Sequence, residues 1–374
     1  MIQTLMPEKE IPASPDDITP EWLTNVLTEN DIITNARVTS FKLESFGLLG
    51  GFVGEVVRLH LLYEPITIKE PSSLVAKFPS SDVLTRNNLN QSGAYEREVR
   101  FYQELSDCCT LTIPNLYYAA TNKNENNHVL LLEDINYAKR GNVLKGCSNE
   151  QAHVAIKNIA RFHSIWWNDS RLENMTWMQD LSRQPCKEQE SFDLLWKLCE
   201  KNLSGNIPES FREIVNQSKN HIAAIRIELG KTPKTLTHGD FRLDNMFFKE
   251  EKINAGMDLI VIDWQFATIG RGVGDVAWFM MYCMNPAKRR MTEMELLTGY
   301  HRTLLENGVT QYPFEKCVFD YRLSMLQLVQ RIVPAGAHLD FTSELGSSVI
   351  GLVFERTTAA LVDLEVNNLL PLKI

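Results

Sequence analysis

The stretch "LTHGDFRLDNMFF", residues 236–248, sets a His-Gly-Asp turn five residues ahead of an asparagine and then returns at once to apolar residues. A carboxylate and a carboxamide confined to so short a loop between apolar segments are the mark of a loop that carries chemistry. Downstream, residues 246–248 and 259–262 read as two short strands joined by a polar turn around "NAG", and the second ends directly in Asp263. A hairpin of that kind brings Asp263 back beside Asn245.

With Asp240 at the head of the loop, such a site holds one carboxylate able to accept a proton and a carboxamide-carboxylate pair able to hold a hard cation. Oxygen ligands of this type suit Mg2+, which keeps several waters and bridges phosphate oxygens. A transferring phosphoryl group spreads negative charge over its oxygens, so a lysine and a phosphate-covering loop are expected upstream. "GLLGGFVGEVVRL" supplies Gly50, Gly51 and Gly54 between two strands, and Lys77 lies inside the apolar strand "LVAKF". Taken alone, each has a plainer reading. Glycines in a hairpin turn serve positive φ, and a lysine among apolar residues can snorkel from an edge strand.

A lysine in a binding cleft needs a counterion. Ala94, Glu98, Phe101 and Leu105 follow helical steps along one apolar stripe, whereas Glu96, Arg100, Gln103 and Asp107 make a polar face. Glu98 therefore points inward and is the expected partner of Lys77, while Glu96 and Arg100 form a solvated surface pair.

The rest of the chain frames this site. Thr19 and Pro20 open a helix whose apolar face is Trp22, Leu23, Val26 and Leu27. Residues 38–78 read as three antiparallel strands, 92–105 as a helix, and "TIPNLYYAA" and "HVLLLEDI" as two more strands. Five strands and one helix make a small first lobe, residues 1–135. From 136 to 374 helices dominate, beginning with "SNEQAHVAIKNIARFHSIWW", where Ser148 and Gln151 have capping-box spacing.

The formal charge of −9 argues against a nucleic-acid partner, which needs a basic field; it is a solubilising surface or a lure for cationic substrates. Seven cysteines with no C-x-x-C pair suggest neither a disulfide framework nor a zinc site, and fit a reducing cytoplasm. "MIQTLMPEKE" lacks the basic start and apolar core of a signal peptide, and the longest apolar run, "VAWFMMYCM", cannot span a bilayer, so no membrane partner is expected.

The combination of "LTHGDFRLDNMFF", "VIDWQFA", "LVAKF", the inward glutamate of "YEREVRFYQEL" and "LLLEDI" resembles the aminoglycoside phosphotransferase and choline kinase superfamily, especially its ecdysteroid-kinase-like branch. The resemblance runs over roughly residues 46–284. It implies an α+β, two-lobed protein-kinase-like fold. It implies as well that Asp240 is the catalytic base, that Asn245 and Asp263 are the metal ligands, and that Lys77 is a phosphate-binding lysine steadied by Glu98. The backbone around Glu133 and Ile135 would then form the hinge that hydrogen-bonds adenine.

Protein kinases have Asp-Phe-Gly where this chain has Asp263-Trp264-Gln265, and no Ala-Pro-Glu follows. Arg242 either neutralises phosphate or ties the loop to a neighbouring carboxylate. His238 is read as ordering the loop, His163 as a satisfied core histidine, and Asp275 as a helix cap or a structural aspartate fixing the catalytic segment. Trp166, Trp167 and Trp177 either pack in the core or line an aromatic pocket.

The expected activity is ATP- and Mg2+-dependent phosphorylation of a hydroxyl group on a small molecule, with the branch resemblance tilting toward a fairly apolar alcohol. The acceptor's identity and the oligomeric state are not written in these motifs. Two rivals stand beside this reading: a pseudokinase that binds nucleotide as a regulatory or scaffolding module, and a kinase acting on a protein hydroxyl.

Overall fold

The computed structural model describes residues 11–46, 54–122, 127–181, 185–203, 205–250, 257–338 and 344–372. Two compact units result. One is the chain up to Cys109 together with Ile113–Tyr137, the other Thr110–Thr112 together with the chain from Ala138 onward.

In the first unit the Trp22 N–H donates to Thr19 Oγ1 at 3.0 Å and Pro20 takes the first helical position, which fixes the start of α1 (Pro20–Glu29). Strands β1 (Arg37–Ser45), β2 (Gly54–Glu64) and β3 (Ser73–Pro79) follow. Next come α2 (Val83–Gln91) and α3 (Ala94–Arg100), the latter running on through a π turn at Phe101–Leu105. Strands β4 (Leu116–Asn122) and β5 (Asn127–Glu133) complete a five-stranded antiparallel sheet in the order β1-β2-β3-β5-β4.

Strand periodicity then sorts side chains. Leu74, Ala76 and Phe78 join the core that α1 makes with Leu23, Val26 and Leu27. Lys77 takes the opposite face, where α3 brings Glu98. Gly54 opens β2 opposite Pro79, and a Cβ there would lie 2.9 Å from the Phe78 carbonyl oxygen. Gly50 and Gly51 lie outside the described residues. Helix α2 was not expected, because "VLTRNNLNQ" buries only Leu89 and has little apolar periodicity. Its start is fixed by Asp82, whose carboxylate accepts the Thr85 N–H at 2.7 Å.

The second unit opens with β6 (Lys139–Arg140) and α4 (Asn149–Ile165). At α4 the capping box is complete: Gln151 N–H donates to Ser148 Oγ at 3.0 Å and Ser148 N–H to Gln151 Oε1 at 2.8 Å. Then come α5 (Arg171–Asn174), β7 (Gln179–Asp180), α6 (Pro185–Leu203), α7 (Glu209–Ser218), α8 (Ile222–Gly230) and β8 (Thr235–Thr237). The hairpin β9 (Met246–Glu250) and β10 (Met257–Val261) precedes β11 (Thr268–Gly270) and α9 (Val273–Cys283). The unit closes with α10 (Pro286–Glu306), α11 (Phe314–Gln327), α12 (Val329–His338) and α13 (Glu344–Asp363). Helix α9, from the longest apolar run, is buried on nearly every side, which is why its sequence is apolar all round.

Two small sheets in this unit position the loops of interest. One has the order β10-β9-β6, the other β7-β11-β8. Residues 238–245 run from β8 to β9, and residues 262–267 from β10 to β11. Because β8 pairs with β11 and β9 with β10, both ends of each loop are pinned to the ends of the other. The pairs at those ends are Thr237 with Thr268 and Met246 with Val261.

Candidate active site

The loop from His238 to Asn245 is held by a buried carboxylate. Asp275 Oδ2 accepts the His238 N–H at 2.7 Å and Asp275 Oδ1 the Gly239 N–H at 2.9 Å, so the chain is gripped just ahead of Asp240. Asp275 is the third residue of α9, whose N-cap is Gly272. It therefore binds another loop and does not cap its own helix, which decides between the two sequence readings. His163 Nε2 stands 3.1 Å from Asp275 Oδ2 and His163 Nδ1 2.9 Å from the Tyr300 hydroxyl, so His163 is a satisfied core histidine. Burial pushes the Asp275 carboxyl up, but the bond to His163 and the nearby His238 outweigh it and leave it below its ordinary value.

Gly239 adopts φ +77°, and a Cβ on it would come 1.9 Å from the Phe266 carbonyl oxygen. Only glycine fits this crossing of the two loops. His238 Nδ1 accepts the Asp240 N–H at 3.2 Å, so its other nitrogen carries the proton and donates to the Ile262 carbonyl at 3.0 Å. The Ile262 N–H in turn donates to the Asn245 carbonyl at 3.0 Å. His238 thus orders the loop, as its place at the head of the motif suggests.

Asp240 is 6% exposed. Its Oδ2 accepts Asn245 Nδ2 at 3.0 Å and Arg242 Nε at 3.1 Å, and its Oδ1 accepts the Trp278 indole N–H at 2.9 Å. An ionised carboxylate offers about four acceptor positions, so one remains, on Oδ1. Burial pushes the Asp240 carboxyl up, but Arg242 and Arg331 more than offset this and hold it below its ordinary value. The group is an anion at neutral pH. Arg242 also donates to Asp244 Oδ2 at 2.6 Å, so it ties carboxylates together.

The Asn245 amide also donates to the Asp240 carbonyl at 3.0 Å. Both bonds from Nδ2 fix the amide's orientation and turn Oδ1 the other way, free to act as a ligand. Asp263 follows β10 by two residues instead of ending the strand, and takes φ +73°. That left-handed backbone costs a non-glycine residue about 1 kcal/mol or more, and the two bonds at Ile262 hold it in place. No cluster of three or more His, Cys, Asp or Glu among the described residues could cage a metal. An amide oxygen and one carboxylate suit a Mg2+ completed by water and phosphate oxygens.

In the first unit Lys77 Nζ contacts both carboxylate oxygens of Glu98, at 2.6 and 2.8 Å, and Glu98 is 1% exposed. Arg100 lies 3.7 Å from Glu96 on the polar face and closer, 2.6 Å, to Glu104. At the end of β5, Glu133 Oε2 accepts from Asn115 Nδ2 at 2.8 Å, and Ile135 is buried. Trp166 is buried under the Arg171 guanidinium, and Trp167 packs on Tyr312.

Sequence reading missed Trp278 and Arg331, which complete the surroundings of Asp240. Trp278 lies in the apolar helix α9 and reads as core. Arg331 lies in α12, donates to the Gly239 carbonyl, and has its Nη2 3.8 Å from Asp240 Oδ1. Nothing in "LVQRIVPAG" says which loop that arginine meets.

Residues 49–310 match the model of the ecdysteroid kinase-like family. The chain belongs to that family. Among solved structures, this ecdysteroid kinase-like protein resembles a candidate aminoglycoside phosphotransferase from Ralstonia eutropha JMP134, with TM-score 0.56 and 13% identity over 92% of this chain and 98% of that one. It also resembles Plasmodium vivax ethanolamine kinase, with TM-score 0.54 and 12% identity over 91% and 87%. A third is aminoglycoside 2'-phosphotransferase-IIIa in complex with GDP, with TM-score 0.52 and 14% identity over 91% and 99%. These likenesses show the fold, which is that of protein-kinase-like phosphotransferases. A 44-residue stretch is 50% identical to mouse acyl-CoA dehydrogenase family member 10, covering 12% of this chain and only 4% of that protein's length. No helix among the described residues is long and apolar enough to cross a membrane.

Proposed function

We propose that this protein is an ATP- and Mg2+-dependent kinase that phosphorylates a hydroxyl group of a small molecule. The observation that carries this reading is the anionic Asp240 with one open acceptor position, bonded to Asn245 and pinned to the loop of Asp263. An acceptor hydroxyl donating to Asp240 Oδ1 is oriented for attack. Asp240 takes its proton late, as the phosphoryl group departs, which suits a carboxylate of low basicity. Lys77, steadied by Glu98, would meet phosphate charge, and the backbone around Glu133 and Ile135 would bind adenine. Asn245 and Asp263 would hold Mg2+, which supplies charge neutralisation to the phosphates. Residues 1–135 act in this reading as the nucleotide-binding lobe and 136–374 as the catalytic and acceptor lobe.

Family membership supports a small, fairly apolar alcohol as acceptor. Cys147, Cys199, Cys283 and Cys317 are buried free thiols, which suits a cytoplasmic setting. ADP release by the purified protein, screened over a diverse panel of hydroxyl compounds, should require a particular acceptor and stop with EDTA. Asp240→Ala should abolish turnover while calorimetry still registers nucleotide, and Asp263→Ala should weaken magnesium-nucleotide binding itself. Near-native kcat in Asp240→Ala overturns the assignment. Nucleotide binding without turnover across the panel points instead to a binding module, and labelled phosphate in protein to a protein kinase.

A further inference from the structure

An alkylammonium is drawn to a carboxylate and to the face of an indole, and beside Asp240 the chain has both. The Trp278 indole N–H is bonded to Asp240 Oδ1, and the Tyr282 ring packs on Trp278 with centroids 5.1 Å apart. Left open, these groups in a protein of net charge −9 would make a site for a cationic acceptor.

The chain fills that place itself. The Arg331 guanidinium carbon lies 4.0 Å from the centroid of the Trp278 ring, and that of Arg242 lies 5.4 Å from the Tyr282 ring. Asp240 and Asp244 are thereby matched by two guanidiniums, Arg242 bonded to both carboxylates and Arg331 close to Asp240. Arg331 also donates to the Gly239 carbonyl, which fixes it over the indole. It comes from α12, beyond the residues that match the family model.

We propose that Arg331 is a specificity-determining residue: by covering Trp278 it closes the acceptor end of the site to compounds with a cation beside the reacting hydroxyl and reserves it for uncharged alcohols. A second cation brought there would lose the aromatic face and meet a guanidinium a few ångströms away. An uncharged alcohol loses nothing by the arrangement.

Because the word acceptor rests on the kinase reading, the test reads binding without turnover. In the 15N-labelled full chain, with the Trp278 indole resonance assigned through Trp278→Phe, tetramethylammonium chloride is titrated against sodium chloride. In the native protein and in Arg331→Lys, tetramethylammonium should move that resonance no more than sodium does. In Arg331→Gln and Arg331→Met it should give a saturable shift, at least about tenfold tighter than any native response. A saturable native response overturns the proposal. So does its absence from both neutral variants when their other indole resonances are native, and so does loss of the native spectrum in both, which would make Arg331 a folding residue. In parallel, kcat/KM for choline relative to its uncharged isostere 3,3-dimethyl-1-butanol should rise at least about tenfold in Arg331→Gln. Absence of turnover with every alcohol would sink the kinase reading and leave the titration to decide the role of Arg331.

Discussion

Asp275 Oδ1 takes the backbone N–H of Gly239 at 2.9 Å, one residue ahead of Asp240. The same side chain holds the His238 N–H, so a single buried anion anchors the segment from below. Asp275→Asn keeps the size but has one acceptor oxygen for two peptide donors, and turns an amide N–H toward one of them. Each hydrogen bond to a charged group contributes about 1.5–3 kcal/mol, so urea denaturation should show a loss of about 3 kcal/mol, and kcat should fall at least about tenfold. The pH dependence has a definite sign. The folded-state pKa of Asp275 is depressed, so its contribution is fully present above the unfolded value, about 3.9, and disappears as pH falls through the folded one. Native stability should decline below about pH 4, and the decline should be shallower in Asp275→Asn.

Gly239→Ala tests the crossing of the two loops. A methyl group would collide with the Phe266 carbonyl, which is backbone and cannot rotate away, at a φ that alanine avoids. Separation of the loops is the only relief, and that breaks the bonds through Ile262. A loss above about 3 kcal/mol, or failure to accumulate folded protein, is expected. A variant with native melting temperature and kcat would mean that the loops are not locked together here.

The pair Lys77 and Glu98 predicts an asymmetry. Lys77 retains some exposure and can turn its ammonium toward water, whereas Glu98 is fully inside. Lys77→Ala should therefore destabilise more than Glu98→Ala, by about 3 against about 1–2 kcal/mol, and the lysine variant should regain stability as pH is lowered and the carboxylate takes up a proton. A double-mutant cycle should give a coupling of about 2 kcal/mol for this pair and under about 1 for Glu96 and Arg100. Equal couplings would show that burial confers nothing on the first pair.

Local periodicity accounts for what could be read without coordinates. The caps at Thr19 and Ser148, the five strands, the inward Glu98 and the return of the hairpin toward Asn245 depend on neighbours within a few residues or on one helical stripe. Lys77 could be matched to Glu98 because strand and helix periodicity each select a face. Trp278 and Arg331 could not be matched to Asp240. They lie 38 residues after Asp240 and 92 after Gly239, in segments whose patterns say only core helix. Asp275 was legible as an acid that either caps its own helix or fixes the catalytic segment, and only the bonds its two oxygens accept from the His238 and Gly239 N–H groups decide between them. The strand before Asp263 was carried one residue too far, to Ile262 instead of Val261, because the left-handed backbone at Asp263 has no glycine to announce it.

Asn245 offers the sharpest test of the electrostatics around Asp240. Its amide donates to Asp240 Oδ2 at 3.0 Å, and Asn245→Asp replaces that donor with a second carboxylate of the same shape. Two carboxylates at hydrogen-bond distance cannot both ionise cheaply, so they share a proton and titrate as a coupled pair. In the native protein Arg242 and Arg331 keep Asp240 ionised to below its ordinary value, so this group should impose no acid limb on kcat/KM above about pH 4. In Asn245→Asp the shared proton must leave at a higher pH, so an acid limb should enter the neutral range. Activity at pH 6 should fall at least about tenfold and recover in part at pH 8. A metal role for Asn245 alone predicts a different profile, since an added carboxylate ligand binds magnesium at least as well and the loss would not depend on pH in this way. A pH-independent loss would therefore remove Asp240 from the proton-accepting role and leave it an anchor for Arg242 and Trp278.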